Sequence, residues 1–174
     1  MWDVFTGKEV FISSKSSEYI TSVSFSPDSE LIAFGGYSDS AYICAFPSGK
    51  LIKQIPVNTD KGSGYGINLS FSGDRKWLAV GEDNKTASLY HTSDWKLAYT
   101  FKPAEGWCGG CGTYIEFSPN NKSFFKISHN DKLSEYDLTT GNLIKTYGEP
   151  VNELRGVAIT MNGQHFLFAS DSML

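Results

Sequence analysis

A chain of 174 residues, 40% apolar and 14% aromatic, can bury a core of domain size, which excludes a disordered segment and predicts a single domain spanning 1–174. Lys and Arg number 15 against 19 Asp and Glu, and no basic cluster stands anywhere in the chain, so the phosphate-neutralising footprint of a nucleic-acid binder is absent. The longest apolar runs are strand-sized, well short of the roughly 18 residues of a membrane span; the first residues are polar rather than signal-like; and three cysteines make no disulfide framework. The expectation is a soluble protein of an intracellular, cytoplasmic setting, with no membrane partner.

Residues 1–13 read as two short strands about the turn Thr6-Gly7-Lys8, with Trp2, Val4, Val10 and Ile12 as their apolar residues. Residues 20–57 then give a complete four-strand unit. Its first strand alternates, Val23 and Phe25 on one face against Ser22 and Ser24 on the other, as a half-buried strand does. Pro27-Asp28 closes it, supplying a fixed φ and a side chain that bonds its own backbone. Apolar runs follow at 31–34, 41–46 and 51–57, separated by a Gly/Ser/Asp loop at 35–40 and by Pro47-Ser48-Gly49-Lys50, where Gly permits a positive φ. Four strands and three turns predict an antiparallel meander.

After a polar, Gly-rich connector at 58–66 the unit returns at 67–101, with Leu69 and Phe71 on the first strand and further runs at 77–80, 87–90 and 97–101. It returns again at 113–147, where Ile115, Phe117, Phe124, Phe125, Ile127, Tyr136, Leu143 and Ile144 are core candidates. A connector at 148–153 leads to two last strands at 156–159 and 165–169. Two markers keep the register. Phe25-Ser26-Pro27-Asp28 becomes Phe71-Ser72-Gly73-Asp74, Phe117-Ser118-Pro119-Asn120 and Ile159-Thr160-Met161-Asn162, at intervals of 46, 46 and 42; Thr6-Gly7-Lys8 becomes Ser48-Gly49-Lys50, Asp94-Trp95-Lys96 and Thr140-Gly141-Asn142, at 42, 46 and 46. A period of about 40 to 45 residues carrying four strands is the signature of a β-propeller blade.

Met1-Trp2-Asp3-Val4-Phe5-Thr6-Gly7-Lys8 resembles the Trp-Asp ending of WD-repeat propellers, and Tyr136-Asp137-Leu138-Thr139-Thr140-Gly141 is a close variant. Val23 to Asp28 is similar to that family's first strand and turn. The resemblance covers nearly the whole chain. It lacks the Gly-His pair that usually precedes the first strand, and Cys44-Ala45 and Tyr90-His91 stand at the Trp-Asp positions of the middle copies. The expected fold class is all-β, with blades of four-stranded antiparallel sheets: three complete blades and two complementary half blades. Joining the last residues to the first sets Asp171 five positions before Trp2, as Asp39 precedes Cys44 and Asp131 precedes Tyr136. Three closures are open: a four-bladed ring, a homodimer completing a larger propeller of eight blades, or a piece of a longer propeller.

Trp107-Cys108-Gly109-Gly110-Cys111-Gly112 is the one motif with the look of a reactive site. Cys108 and Cys111 at Cys-x-x-Cys spacing could share a metal or a redox disulfide, with His129 as third ligand and Asp131 or Glu105 as fourth. No second Cys pair completes a structural zinc site, so the expectation is no metal and no cofactor. Cys44 lies within a strand and reads as core. His91 and His165 fall on the face opposite His129, which leaves no converging trio, and no nucleophile elbow or phosphate loop is present. One loop face gathers Tyr37, Tyr65, Trp107 and His129, interleaved with Asp39, Asp60 and Asp83, and exposed aromatics are common anchors for a protein or peptide partner. The resemblance implies a non-enzymatic interaction scaffold. The alternative is a quinoprotein- or lactonase-like enzyme or ligand-binding propeller, which would need histidines and acids converging on the central channel.

Overall fold

The computed structural model describes residues 2–10, 19–57, 66–82, 84–102, 112–128, 131–151 and 154–170. All regular structure among them is β. The first sheet is β1 (Ile20–Phe25), β2 (Leu31–Gly36), β3 (Ser40–Ala45) and β4 (Leu51–Pro56). The second is β5 (Asn68–Phe71), β6 (Trp77–Gly81), β7 (Ala87–His91) and β8 (Leu97–Phe101). β9 (Thr113–Phe117), β10 (Ser123–Ser128), β11 (Asp131–Asp137) and β12 (Leu143–Val151) make the third, and β13 (Leu154–Ile159) with β14 (Phe166–Ser170) a two-stranded fourth. Each four-stranded sheet is an antiparallel meander in sequence order, and no sheet closes on itself. Residues 2–10 hold one bridge, Trp2 to Glu9, where two full strands were expected.

The turn after each first strand is built the same way four times. The Ser26 hydroxyl donates to the Asp28 carboxylate, while the Leu31 N–H donates back to Ser26 Oγ at 2.9 Å and the Glu30 N–H to Asp28 Oδ1 at 3.1 Å. Ser72 with Asp74, Ser118 with Asn120 and Thr160 with Asn162 repeat the arrangement. At the tips Ser29, Arg75, Asn121 and Gly163 all take the left-handed conformation, at φ of 60, 65, 56 and 69°. Two tip side chains reach back to the preceding blade: Arg75 donates to Asp28, and Asn121 Oδ1 accepts the Asp74 N–H at 3.2 Å. The third strands share a feature too, a register shift at Ile43/Cys44, Leu89/Tyr90 and Glu135/Tyr136.

Blades stack face to face through one recurring interface. Leu69 and Phe71 on β5 with Leu78 and Val80 on β6 pack on Ala33, Ala41, Ile43 and Ile55 of the first sheet. Ile115, Phe117 and Phe124 pack on Ala79, Ala87, Leu89 and Phe101, and Val157, Ile159 and Phe166 on Phe125, Ile127 and Leu133. Burying each large side chain contributes roughly 1.5–3 kcal/mol. The innermost strands β5 and β9 have an edge with no strand partner among the described residues, and side chains of the preceding blade bond to it. Ser22 Oγ accepts the Leu69 N–H at 2.9 Å, and Asn68 Oδ1, its equivalent one period on, accepts the Ile115 N–H at 3.3 Å.

Several expectations change. The serine face of β1, not the Val23/Phe25 face, is the one turned to the next blade, and Val23 and Phe25 are 60% and 44% exposed. β12 runs through the expected connector as far as Val151, held opposite Asp131. Leu143 and Ile144 are more than half exposed because β12 is the outermost strand of its sheet, while Leu133 and Leu138 fill the core instead. Cys44 is fully buried, as expected.

Gly81, the last residue of β6, tests the interface. A Cβ there would fall on the Thr113 carbonyl oxygen of the next blade, a backbone atom that cannot yield without moving β9. Gly81→Ala is expected to destabilise the protein by about 1–3 kcal/mol or more, read as a lower Tm in thermal melts. Gly156→Ala, where a Cβ meets nothing within 4 Å, is the control.

Candidate functional site

The end of the blades that carries the connections between second and third strands, and from one blade to the next, is where the aromatic set was expected. Tyr37, immediately after β2, is its described member. It is half-buried, its N–H donates to the Tyr19 carbonyl at 3.1 Å, and its ring meets that of Tyr19 edge-on, centroids 6.0 Å apart at 74°. Tyr19, largely exposed and directly before β1, is an aromatic neighbour the sequence reading did not include. Tyr65, Trp107, His129, Cys108 and Cys111 lie outside the described residues, as do Asp60, Asp83 and Glu105. Asp39 is exposed.

The same end holds a buried polar cluster. Lys126 stands on β10 opposite Ile115, the register position that Phe34 and Val80 take opposite Val23 and Leu69. An ammonium thus occupies a core site at the face between the second and third blades. Lys126 Nζ donates to Ser128 Oγ at 3.2 Å, Ser128 Oγ lies 3.2 Å from Thr113 Oγ1, and Asp131 Oδ2 is 3.9 Å from the ammonium. Lys85, between β6 and β7, places its own Nζ 3.4 Å from Asp131 Oδ1, so one carboxylate serves two lysines from adjacent blades. Burial pushes the Lys126 pKa down to about 8; Asp131 opposes the shift and Lys85 adds to it. The signal in the sequence was a lone Lys on the inward side of the run Phe124-Phe125-Lys126-Ile127.

At the opposite end, a cavity of about 660 Å³ opens between the first-strand turns of the first two blades, with Asp28, Glu30, Phe71, Arg75, Lys76 and His91 on its walls. The Ser26 hydroxyl, then the Glu30 N–H and Arg75, hold the Asp28 carboxyl down at about 2. His91 stacks on Trp77, ring centroids 4.3 Å apart. A smaller cavity of about 330 Å³ repeats this position between the third and fourth sheets, beside Asn120, Glu135, Ile159 and Met161. There Glu135 accepts the Tyr147 hydroxyl, which pushes that phenol up to about 12. Among the described residues no group of three or more His, Cys, Asp or Glu side chains could hold a metal.

Stacked four-stranded meanders, joined by one repeated interface and open at both loop ends, define the class: a repeat protein of propeller blades. Residues 7–44 match the family model described as WD domain, G-beta repeat, a segment that runs from the turn after Trp2-Asp3 to the body of β3. This stretch is similar to a WD repeat, and the four-stranded sheets that follow are consistent with blades of the same kind. A search of the curated proteins found no match. WD repeats support a domain of the protein-interaction scaffold kind. No helix among the described residues is long and apolar enough to cross a membrane.

Lys126 gives a prediction with a sign. Lys126→Met removes a buried charge and keeps the side-chain length, while Asp131 keeps Lys85 as its partner, so the variant is expected to be more stable than wild type at neutral pH. Because the folded pKa lies near 8, below the ordinary 10.5, the native state releases this proton before the unfolded chain does. The group's contribution to stability therefore rises with pH between about 8 and 10.5. Melts at pH 7.5 and pH 10 should show the gap between variant and wild type narrowing; a constant gap contradicts the assignment.

Proposed function

We propose that the chain is a non-enzymatic interaction module that binds a protein or peptide through a loop face of its blade array, in an intracellular setting and without a cofactor. The observation that carries this reading is the WD-repeat match at residues 7–44, set in a chain whose blades are fixed to one another by packing and by side-chain bonds between inner strands. Such a frame holds its loops in place at little entropic cost on binding. The proposed contact surface is the face of Tyr37, Tyr65, Trp107 and His129. The Tyr19–Tyr37 pair supports it, since two rings braced edge-on present a stiff apolar anchor. An enzyme with a site in the channel would need acids and histidines converging on the inner strands; the side chains bonding across β1 and β5 are Thr21, Ser22, Ser24 and Asn68, and among the described residues of the inner strands Glu116 on β9 is the one acid, with no histidine beside it.

Affinity capture followed by mass spectrometry tests both the class and the face. Tyr37→Ala, Tyr65→Ala and Trp107→Ala together should weaken capture of the partner at least tenfold with only a small fall in Tm. Arg75→Glu, in the cavity at the other end, should leave capture intact. The reverse pattern would move the binding surface to that cavity.

A further inference from the structure

The cavity between the first-strand turns of the first two sheets lies between two complete blades, and at about 660 Å³ it falls within the roughly 300–1,000 Å³ that binding pockets occupy. Its charged groups come from two sides. The first sheet's turn supplies Asp28 and Glu30, and the second sheet's turn supplies Asp74, Arg75 and Lys76. Two of the acids are matched within the protein, Asp28 by Arg75 and Asp74 by Lys76 at 3.2 Å. Glu30 is not: its carboxylate takes no hydrogen bond and no ion pair among the described residues.

Position in the repeat sharpens the contrast. Glu30 stands two residues after Asp28, as Lys76 does after Asp74, Lys122 after Asn120 and Gln164 after Asn162. The first seam is therefore the one that sets a carboxylate and an ammonium at equivalent positions of adjacent blades. Glu30 and Lys76 both line the cavity, and no ion pair joins them.

Arg75 is the second unusual group. It is the long side chain among the four turn tips, where the other blades carry Ser29, Asn121 and Gly163, and it holds a φ of 65° at a cost that glycine and asparagine largely escape. The Thr92 hydroxyl donates to the Arg75 carbonyl and fixes the backbone there. Asp28 draws the guanidinium across the seam, yet Asp28 does not depend on it: the Ser26 hydroxyl and the Glu30 N–H come before Arg75 in holding that carboxyl at about 2. Hooking the preceding blade does not need an arginine either, since Asn121 does so at the next seam. The single contact through Nη1 leaves the other donors of the guanidinium fork open on a side chain that is 58% exposed.

We propose that this cavity is a recognition site for a peptide segment of a partner protein that carries an acidic and a basic side chain close together, the carboxylate pairing with Arg75 and the base with Glu30. Charge complementarity selects that occupant. A purely acidic ligand satisfies Arg75 but meets Glu30 as a like charge, and a purely basic one satisfies Glu30 but meets Arg75 and Lys76. A segment with both leaves neither group unmatched, and Leu31 and Phe71 on the walls give the side-chain stems apolar contact. The site lies at the end of the blades opposite Tyr37, so it is a second surface, independent of the proposed loop-face binding.

Fluorescence anisotropy with labelled octapeptides tests it: one alternating Glu and Lys, one all Glu, one all Lys, and one of Gly and Ser. Wild type should bind the alternating peptide about tenfold more tightly than the other three. Arg75→Asn and Glu30→Gln bring in side chains that the chain itself carries at those places of the turn, as Asn121 and Gln164, so the turn is kept. Each should weaken binding of the alternating peptide about tenfold with only a small change in Tm, while Tyr37→Ala leaves it unaltered. Equal binding of all four peptides, a preference for the all-Glu or all-Lys peptide, or a loss confined to one of the two substitutions overturns the proposal. So does a loss with Tyr37→Ala, which would place the peptide on the loop face. Displacement of the peptide by free glutamate and lysine at matched concentration overturns it too, since the occupant would then be a small molecule.

Discussion

A four-stranded sheet with apolar side chains on both faces cannot bury either face alone. That constraint governs everything else in this chain. Each blade offers one face to its predecessor and the other to its successor, so the array is stable only as a stack. Strand order within a blade is set by short turns, but the placement of one blade against the next depends on the packing of pairs such as Phe71 on Ile43 and its neighbours. It depends equally on the inner edges. Ser22 and Asn68 close N–H groups on the free edge of the following inner strand that would otherwise lack a protein partner.

Local chemistry was the legible part. The Ser-x-Asp turn is specified by residues within five positions of one another, so its four copies announced themselves in the sequence, down to the Thr160-x-Asn162 variant. Strand identity followed from alternation. What alternation cannot supply is the identity of the neighbour: it shows that Val23 and Ser22 face opposite ways but not which side meets the next blade. The outermost strand misled for a related reason. Leu143 and Ile144 look like core residues by composition, yet a fourth strand has little beyond it to be covered by. β12 also continues through Pro150, which an edge strand tolerates because one side of it forms no ladder.

The candidate sites were less legible, and the reason is again distance along the chain. Lys126, Lys85 and Asp131 come together from two blades, with 41 positions between the lysines, and no local pattern announces a carboxylate shared in this way. Tyr19 joins Tyr37 only because β1 and β2 are paired, a contact that the spacing of the two residues in sequence does not announce. The two cavities arise between turns of successive blades, as a product of stacking rather than of any one turn.

The turn tips have a mechanical consequence. Arg75 and Asn121 each hook the preceding blade at its rim, but the fourth tip is Gly163, which has no side chain to extend and only approaches the ring of Pro119. The seams between blades therefore carry unequal rim bonding among the described residues. Under an applied force the seam between the third and fourth sheets is expected to open before the other two.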